Sequence, residues 1–166
     1  MSLVLINLFS CSSYEQFKNY SKNLEIPSEV FKADYVQSWQ AALQVMKKYD
    51  LSFQDQESGT IKTRWKDNTL ELNFSDSFGG KDSVKTAKFK LIMTLVKGYR
   101  GGKEVTKISI YKRQMVAQDF LQGEKIVHSD NILEKTILYR IKRQIIIDNK
   151  LKKIEQQKMK EAEQSF

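Results

Sequence analysis

Two alternating runs, "AKFKLIMTLVKGY" (87–99) and "EVTKISIYKRQMVAQ" (104–118), joined by "RGGK", constrain the fold of this chain more than any other feature. Side chains of an extended strand point to opposite faces in turn, so Phe89, Leu91, Met93 and Leu95 share one face. In the second run Ile108 and Ile110 face one way and Lys107, Ser109 and Tyr111 the other. With two glycines to make the turn, the pattern predicts a long antiparallel hairpin. It also predicts an antiparallel sheet whose neighbouring strands are joined by hairpins.

The segments before and after supply the rest of such a sheet and its cover. "SEVFKA" reads as a short edge strand, followed by Asp34 with Gln37 three residues on, a capping-box signature. In "DYVQSWQAALQVMKKYD", Tyr35, Trp39, Ala42, Leu43, Met46 and Tyr49 recur at spacings of three and four, the buried stripe of an amphipathic helix. "LSFQDQESGTIKTRW" reads as a hairpin with one apolar face, Leu51 and Phe53 on its first strand and Ile61, Thr63 and Trp65 on its second. "TLELNF" offers a further short strand through Leu70, Leu72 and Phe74, and "SDSFGGKDSVKT" is a loop by composition. From Asn131, with Glu134 as its cap partner, a helical stripe of Leu133, Ile137, Leu138, Ile141 and Ile145 runs into a charged end.

These elements predict an α+β fold, an antiparallel sheet packed against a long C-terminal helix. A length of 166 residues suits one domain with tails. We place that domain at 28–155, behind a polar tether at 11–27, with a charged C-terminal tail at 156–166. No run of about 20 apolar residues is available to span a bilayer.

Charge is unevenly spread. Of a net +8, most lies between Lys135 and Lys160, where nine Lys/Arg face only Asp148 and Glu155. Arg140, Arg143, Lys150 and Lys153 form the face of that helix suited to an anionic partner such as lipid headgroups, nucleic acid or an acidic protein. A plainly solvated helix face is the alternative.

Catalytic chemistry is hard to assemble from these residues. One His and one Cys, far apart, make no zinc set, and the carboxylates have no calcium-loop or metalloprotease spacing. His128 has no nucleophile partner and reads as a loop histidine. "GYRGGKE" and "FGGKDS" lack the Ser/Thr after lysine that a phosphate loop needs, so both read as turns. "KGYRG" overlaps only the start of the RNA-recognition strand motif. The expectation is a chain that is not an enzyme and uses no metal and no cofactor.

The stretch from Tyr35 to Trp65 resembles the helix-grip repeat of BamC-like lipoproteins, the accessory lipoprotein C of the outer-membrane β-barrel assembly machinery. In that family a helix with a central Trp leads into a strand, an "S-G-T-I" turn and a strand ending in Trp. The matching residues here are Trp39, Ala42, Leu43, Leu51, Ser58, Gly59, Thr60, Ile61 and Trp65. The match continues over 89–154 by element order alone.

The resemblance changes how "LVLINLFSC" reads. Leu8, Ser10 and Cys11 keep three positions of a lipoprotein signal's end, with Phe9 the departure and with no Lys or Arg in 1–10. Residues 1–10 are then a truncated signal peptide, and Cys11 is the lipidated residue that ties the chain to a membrane. What the resemblance implies is a cell-envelope lipoprotein facing the periplasm, at the outer membrane. Its domain would be a binding or scaffolding module for an envelope protein partner. For "LVLINLFSC" the alternative is an ordinary N-terminal strand with a buried thiol. For the whole chain it is a cytoplasmic nucleic-acid-binding protein using the basic C-terminal helix.

Overall fold

The computed structural model of the chain describes residues 25–71, 86–117 and 123–164. Within them the chain forms one mixed α+β unit. Strand β1 (Ser28–Phe31) leads into helix α1 (Tyr35–Met46) and a short 3-10 turn (Lys47–Tyr49). Strands β2 (Leu51–Asp55), β3 (Thr60–Thr63) and β4 (Lys66–Asp67) follow, then the long ribbon of β5 (Thr86–Arg100) and β6 (Lys103–Ala117). A short β7 (Lys125–Val127) precedes helix α2 (Ile132–Gln164).

All pairings in the sheet are antiparallel, in the order β1-β6-β5-β3-β2, with β4 also on β5 and β7 also on β6. The alternating ribbon forms as its sequence predicts, in unbroken register from Thr86↔Ala117 to Arg100↔Lys103. The hairpin β2–β3 forms too. The edge strand β1 instead pairs with β6, a partner distant in sequence, from Ser28↔Ser109 to Phe31↔Thr106. A hairpin rule could not place it, because its neighbour is chosen by the face it must bury.

That face is the one under the helices. Phe89, Leu91, Met93 and Leu95 of β5, with Ile108 and Ile110 of β6, are buried against Trp39, Ala42 and Met46 of α1 and Ile137, Leu138, Ile141 and Ile145 of α2. Each Leu, Ile, Met or Phe among them contributes about 1.5–3 kcal/mol by leaving water. Both helical stripes therefore pack as their periodicity predicts, with Leu43, Tyr49 and Leu133 partly buried at the margins. Gln37 Nε2 donates to Asn149 Oδ1 at 2.7 Å and ties α1 to α2.

Four local readings need correction. Residues 69–71 form a helical turn rather than a strand, with Leu70 exposed, while Leu72 and Phe74 lie outside the described residues. Register shifts between Leu51 and Phe53, so Phe53 pairs with Lys62 and is exposed rather than sharing Leu51's face. A bulge of this kind reverses the side-chain alternation beyond it. Trp65 is also exposed, because β3 ends at Thr63 and the chain re-enters the sheet only at Lys66.

The cap of α2 differs as well. Asn131 sits at φ 62° and receives no bond from Glu134; its N–H donates to Ser129 Oγ, and Asp130 Oδ1 accepts the Ile132 N–H at 3.1 Å. Glu134 is buried instead. At α1 the expected cap does form, with Asp34 Oδ1 accepting from the Gln37 N–H at 2.7 Å.

Candidate functional site

The first surface is α2 itself. Its early turns bury the stripe ending at Ile145, and no residue from Ile146 to Gln164 is buried. The helix outlasts its own hydrophobic contact because Ile147, Leu151 and Ile154 recur at helical spacing on a side turned away from the sheet, where they stay exposed. Arg140 and Arg143 are exposed on the sheet-packed half, Lys150 and Lys153 on the free half. Spacings of three, seven and three keep these four on one side of a helix with 3.6 residues per turn. All four thus lie on the side of α2 turned away from the core, in an arc that also holds Ile147, Leu151 and Ile154. Cys11 lies outside the described residues.

A groove between β1 and the middle of α2 has a volume of about 400 Å³ and is lined by Val30, Phe31, Ile145, Ile146 and Asn149. One ion pair spans it, Lys142 Nζ to Glu29 Oε1 at 2.6 Å, between partly exposed groups. Exposed pairs of this kind add little to stability.

At the head of α2 a smaller cavity of about 40 Å³ lies between Tyr111, Lys112, His128 and Glu134. Glu134 Oε2 is buried without a hydrogen-bond partner among the described residues. Among the described residues no three His, Cys, Asp or Glu side chains come together to hold a metal ion. His128 is exposed.

Sequence reasoning missed the second surface, the outward face of the sheet. Strand alternation sends Lys88, Lys90, Ile92 and Thr94 of β5 and Ser109, Tyr111, Arg113 and Met115 of β6 away from the helices. Across it runs a row set by register, Phe53, Lys62, Ile92 and Tyr111. Beside that row is Trp65, with Lys90 Nζ 5.1 Å, Lys88 Nζ 5.5 Å and the Arg113 guanidinium 6.0 Å from its ring centroid. Lys62 lies 5.1 Å from the Phe53 ring in the same way. Ring quadrupoles attract cations, which is how several like charges gather here. The one signal available in sequence was that Lys88, Lys90 and Arg113 all fall at strand positions alternating with the apolar ones.

The turn that carries the resembling motif is structural. Gly59 adopts φ 65°, and its carbonyl accepts from the Leu95 N–H at 2.8 Å. The Tyr35 hydroxyl donates to the Gln56 carbonyl. Burial, and then the nearby Asp55 charge, push the Tyr35 phenol above its ordinary range, which keeps it a donor. Hydrogen bonding from Ser58 holds the Asp55 carboxyl below its ordinary value.

No helix among the described residues is long and apolar enough to cross a membrane, which leaves strand-based spanning unaddressed. A comparison of the chain with protein-family models finds no match, and a comparison with curated proteins finds none either.

Proposed function

We propose that this chain is a binding or scaffolding module of the bacterial cell envelope rather than an enzyme. In this reading it is a BamC-like lipoprotein with a helix-grip domain, held at Cys11 and facing the periplasm from the outer membrane, where it takes part in outer-membrane assembly. The observation that carries it is the division of α2: one half seals the core, and the other leaves the body of the domain with its basic and apolar positions unspent. A solitary solvated helix of that length gains little by itself, so a partner that covers it accounts for its composition. The motif residues support the fold resemblance, with Trp39 and Ile61 in the core and Gly59 in a left-handed turn.

The test has two parts. Expressed with its native upstream region in its own host, the protein recovered from washed envelopes has a mass that begins at Cys11 and includes acyl groups. An unmodified soluble chain would end the lipoprotein reading. In pull-downs, replacing Arg140, Arg143, Lys150 and Lys153 by Glu removes the partner; unchanged recovery would rule out that face.

The basic side of α2 also favours a second reading, a cytoplasmic nucleic-acid-binding protein. It requires binding that weakens steeply with salt as counterions are released. Filter binding at low salt decides it, because absence of affinity for both DNA and RNA eliminates the reading.

A further inference from the structure

We propose that the outward face of the sheet docks on an anionic phospholipid surface, with Trp65, Lys90 and Arg113 at the centre of the contact. The observation is a juxtaposition: an exposed indole inside a cluster of cations, on a sheet face that no described helix covers. This goes beyond the proposed function, because it needs neither Cys11 nor the basic side of α2.

The charge on this face is free to act outward. Lys88 is paired with Glu124, but neither Lys90 nor Arg113 has an acidic group within ion-pair distance among the described residues. The same holds for Lys62 and Lys107, both exposed. Two carboxylates share the face by register, Asp67 opposite Lys88 and Asp55 opposite Thr60, and both keep their charge while accepting from neighbouring amides. Asp67 Oδ1 accepts from the Thr69 N–H at 2.9 Å, and Asp55 accepts from the amides of Glu57 and Ser58. Lys62, Lys90, Lys107 and Arg113 outnumber Asp55 and Asp67, so the net field is positive over a surface four strand spacings wide, or about 19 Å.

Composition and ring geometry choose the occupant. Trp65, Tyr111 and Phe53 are all exposed on this face. Trp and Tyr are the rings that settle at the headgroup level of a bilayer, an apolar body with a polar tip. Lysines and arginines among them meet lipid phosphates. A single-stranded nucleic acid would also welcome the charge, but it needs open ring faces for its bases to stack. Here a cation already lies over the rings of Trp65 and Phe53, which suits contact with phosphates more than stacking. A broad sheet face also matches the area of a membrane better than the line of a peptide.

The test uses the full chain with Cys11→Ser, so that no acyl group contributes. It is mixed with vesicles of phosphatidylcholine alone or with phosphatidylglycerol, the acyl chains brominated near the headgroup. Trp39 is buried and Trp65 is exposed, so only Trp65 is within reach of the bromines. The expected result is sedimentation with the anionic vesicles only, quenching that disappears in Trp65→Phe, and reversal by salt. Lys90→Glu with Arg113→Glu should lower the partition coefficient by about tenfold or more. Lys90→Gln with Arg113→Gln gives a smaller loss in the same direction and serves if the charge reversal fails to fold. Arg140→Glu with Arg143→Glu should leave the quenching in place. No sedimentation with anionic vesicles at low salt would overturn the proposal, as would binding that leaves Trp65 unquenched or that is indifferent to residues 90 and 113. An oligonucleotide that protects Trp65 where vesicles do not would overturn it in favour of nucleic acid. Failure of acylation at Cys11 would not touch it.

Discussion

The two faces of the β5–β6 ribbon are made from alternate residues of the same strands, yet they have opposite fates. Leu91 and Met93 are wholly buried under two helices, while Lys90 and Ile92, which alternate with them, stay half-exposed. A period of two in hydropathy is thus converted into two surfaces of different use, one for stability and one for contact. The faces are fused by a shared backbone, so the core side holds the outward side chains in fixed register. Trp65 shows what that rigidity does: its cationic neighbours come from two strands, and only the ladder between those strands keeps them together.

The sharpest way to break the comparison is to truncate one member of each face. Leu91→Ala should lower stability by about 2–5 kcal/mol, since it removes buried methyl groups and leaves a cavity, whereas its neighbour Lys90→Ala should stay within about 0.5 kcal/mol. Urea denaturation measures both. Near-equal losses would mean that the outward face is also a packed one.

Gly59→Ala comes next. The residue sits at φ 65°, and an added Cβ would fall 2.2 Å from the Leu95 carbonyl oxygen, a backbone atom that cannot swing aside. A loss of about 1–3 kcal/mol is expected, with the turn between β2 and β3 displaced from β5. Hydrogen exchange at the Leu95 amide, which donates to Gly59, reports that displacement directly.

Asp34→Ala should cost about 1 kcal/mol, because the Gln37 N–H then loses its acceptor at the start of α1. The measurement is the thermal midpoint. A neutral outcome would mean that water replaces the carboxylate without penalty.

The smallest effect is one of pH. Hydrogen bonding from Ser58 holds the folded Asp55 carboxyl below its unfolded value. Folding therefore favours the ionised form, so the contribution is present above the ordinary carboxylate value and is lost as pH falls from there through the lowered folded value. In Asp55→Asn that part of the pH dependence disappears. Comparing midpoints of the two chains from neutral pH down to about pH 3 checks the sign against the ordinary carboxylate value near 4. Asp55 is only partly buried and its bonds are open to solvent screening, so the difference should be slight.

Much of the packed core was legible beforehand because periodicity is a local property. Ile137, Leu138, Ile141 and Ile145 must share a helix face whatever that helix touches, and Phe89 to Leu95 must share a strand face. Phe53, Trp65 and Leu70 were misread for one reason in three forms. A bulge, a gap between strands and a short helical turn each interrupt a period, and a run of a few residues is too short to reveal the interruption. Glu134 was assigned to a cap by spacing, but the packing of α2 on the sheet buried it instead.

The basic side of α2 was visible in the sequence because it lies within a single helix. The cluster at Trp65 was not, since its members at 65, 88, 90 and 113 meet only through pairings between β4, β5 and β6. The sequence by itself determined the alternating ribbon, the two helical stripes, the mixed α+β class and the asymmetry of charge, all of which depend on residues within a few positions of each other. Tertiary structure alone decided that β1 joins β6, that both helices take the same side of the sheet, and that a tryptophan and its cations share the other. Those are choices among distant partners, made by which surfaces can leave water together, and no local pattern encodes them.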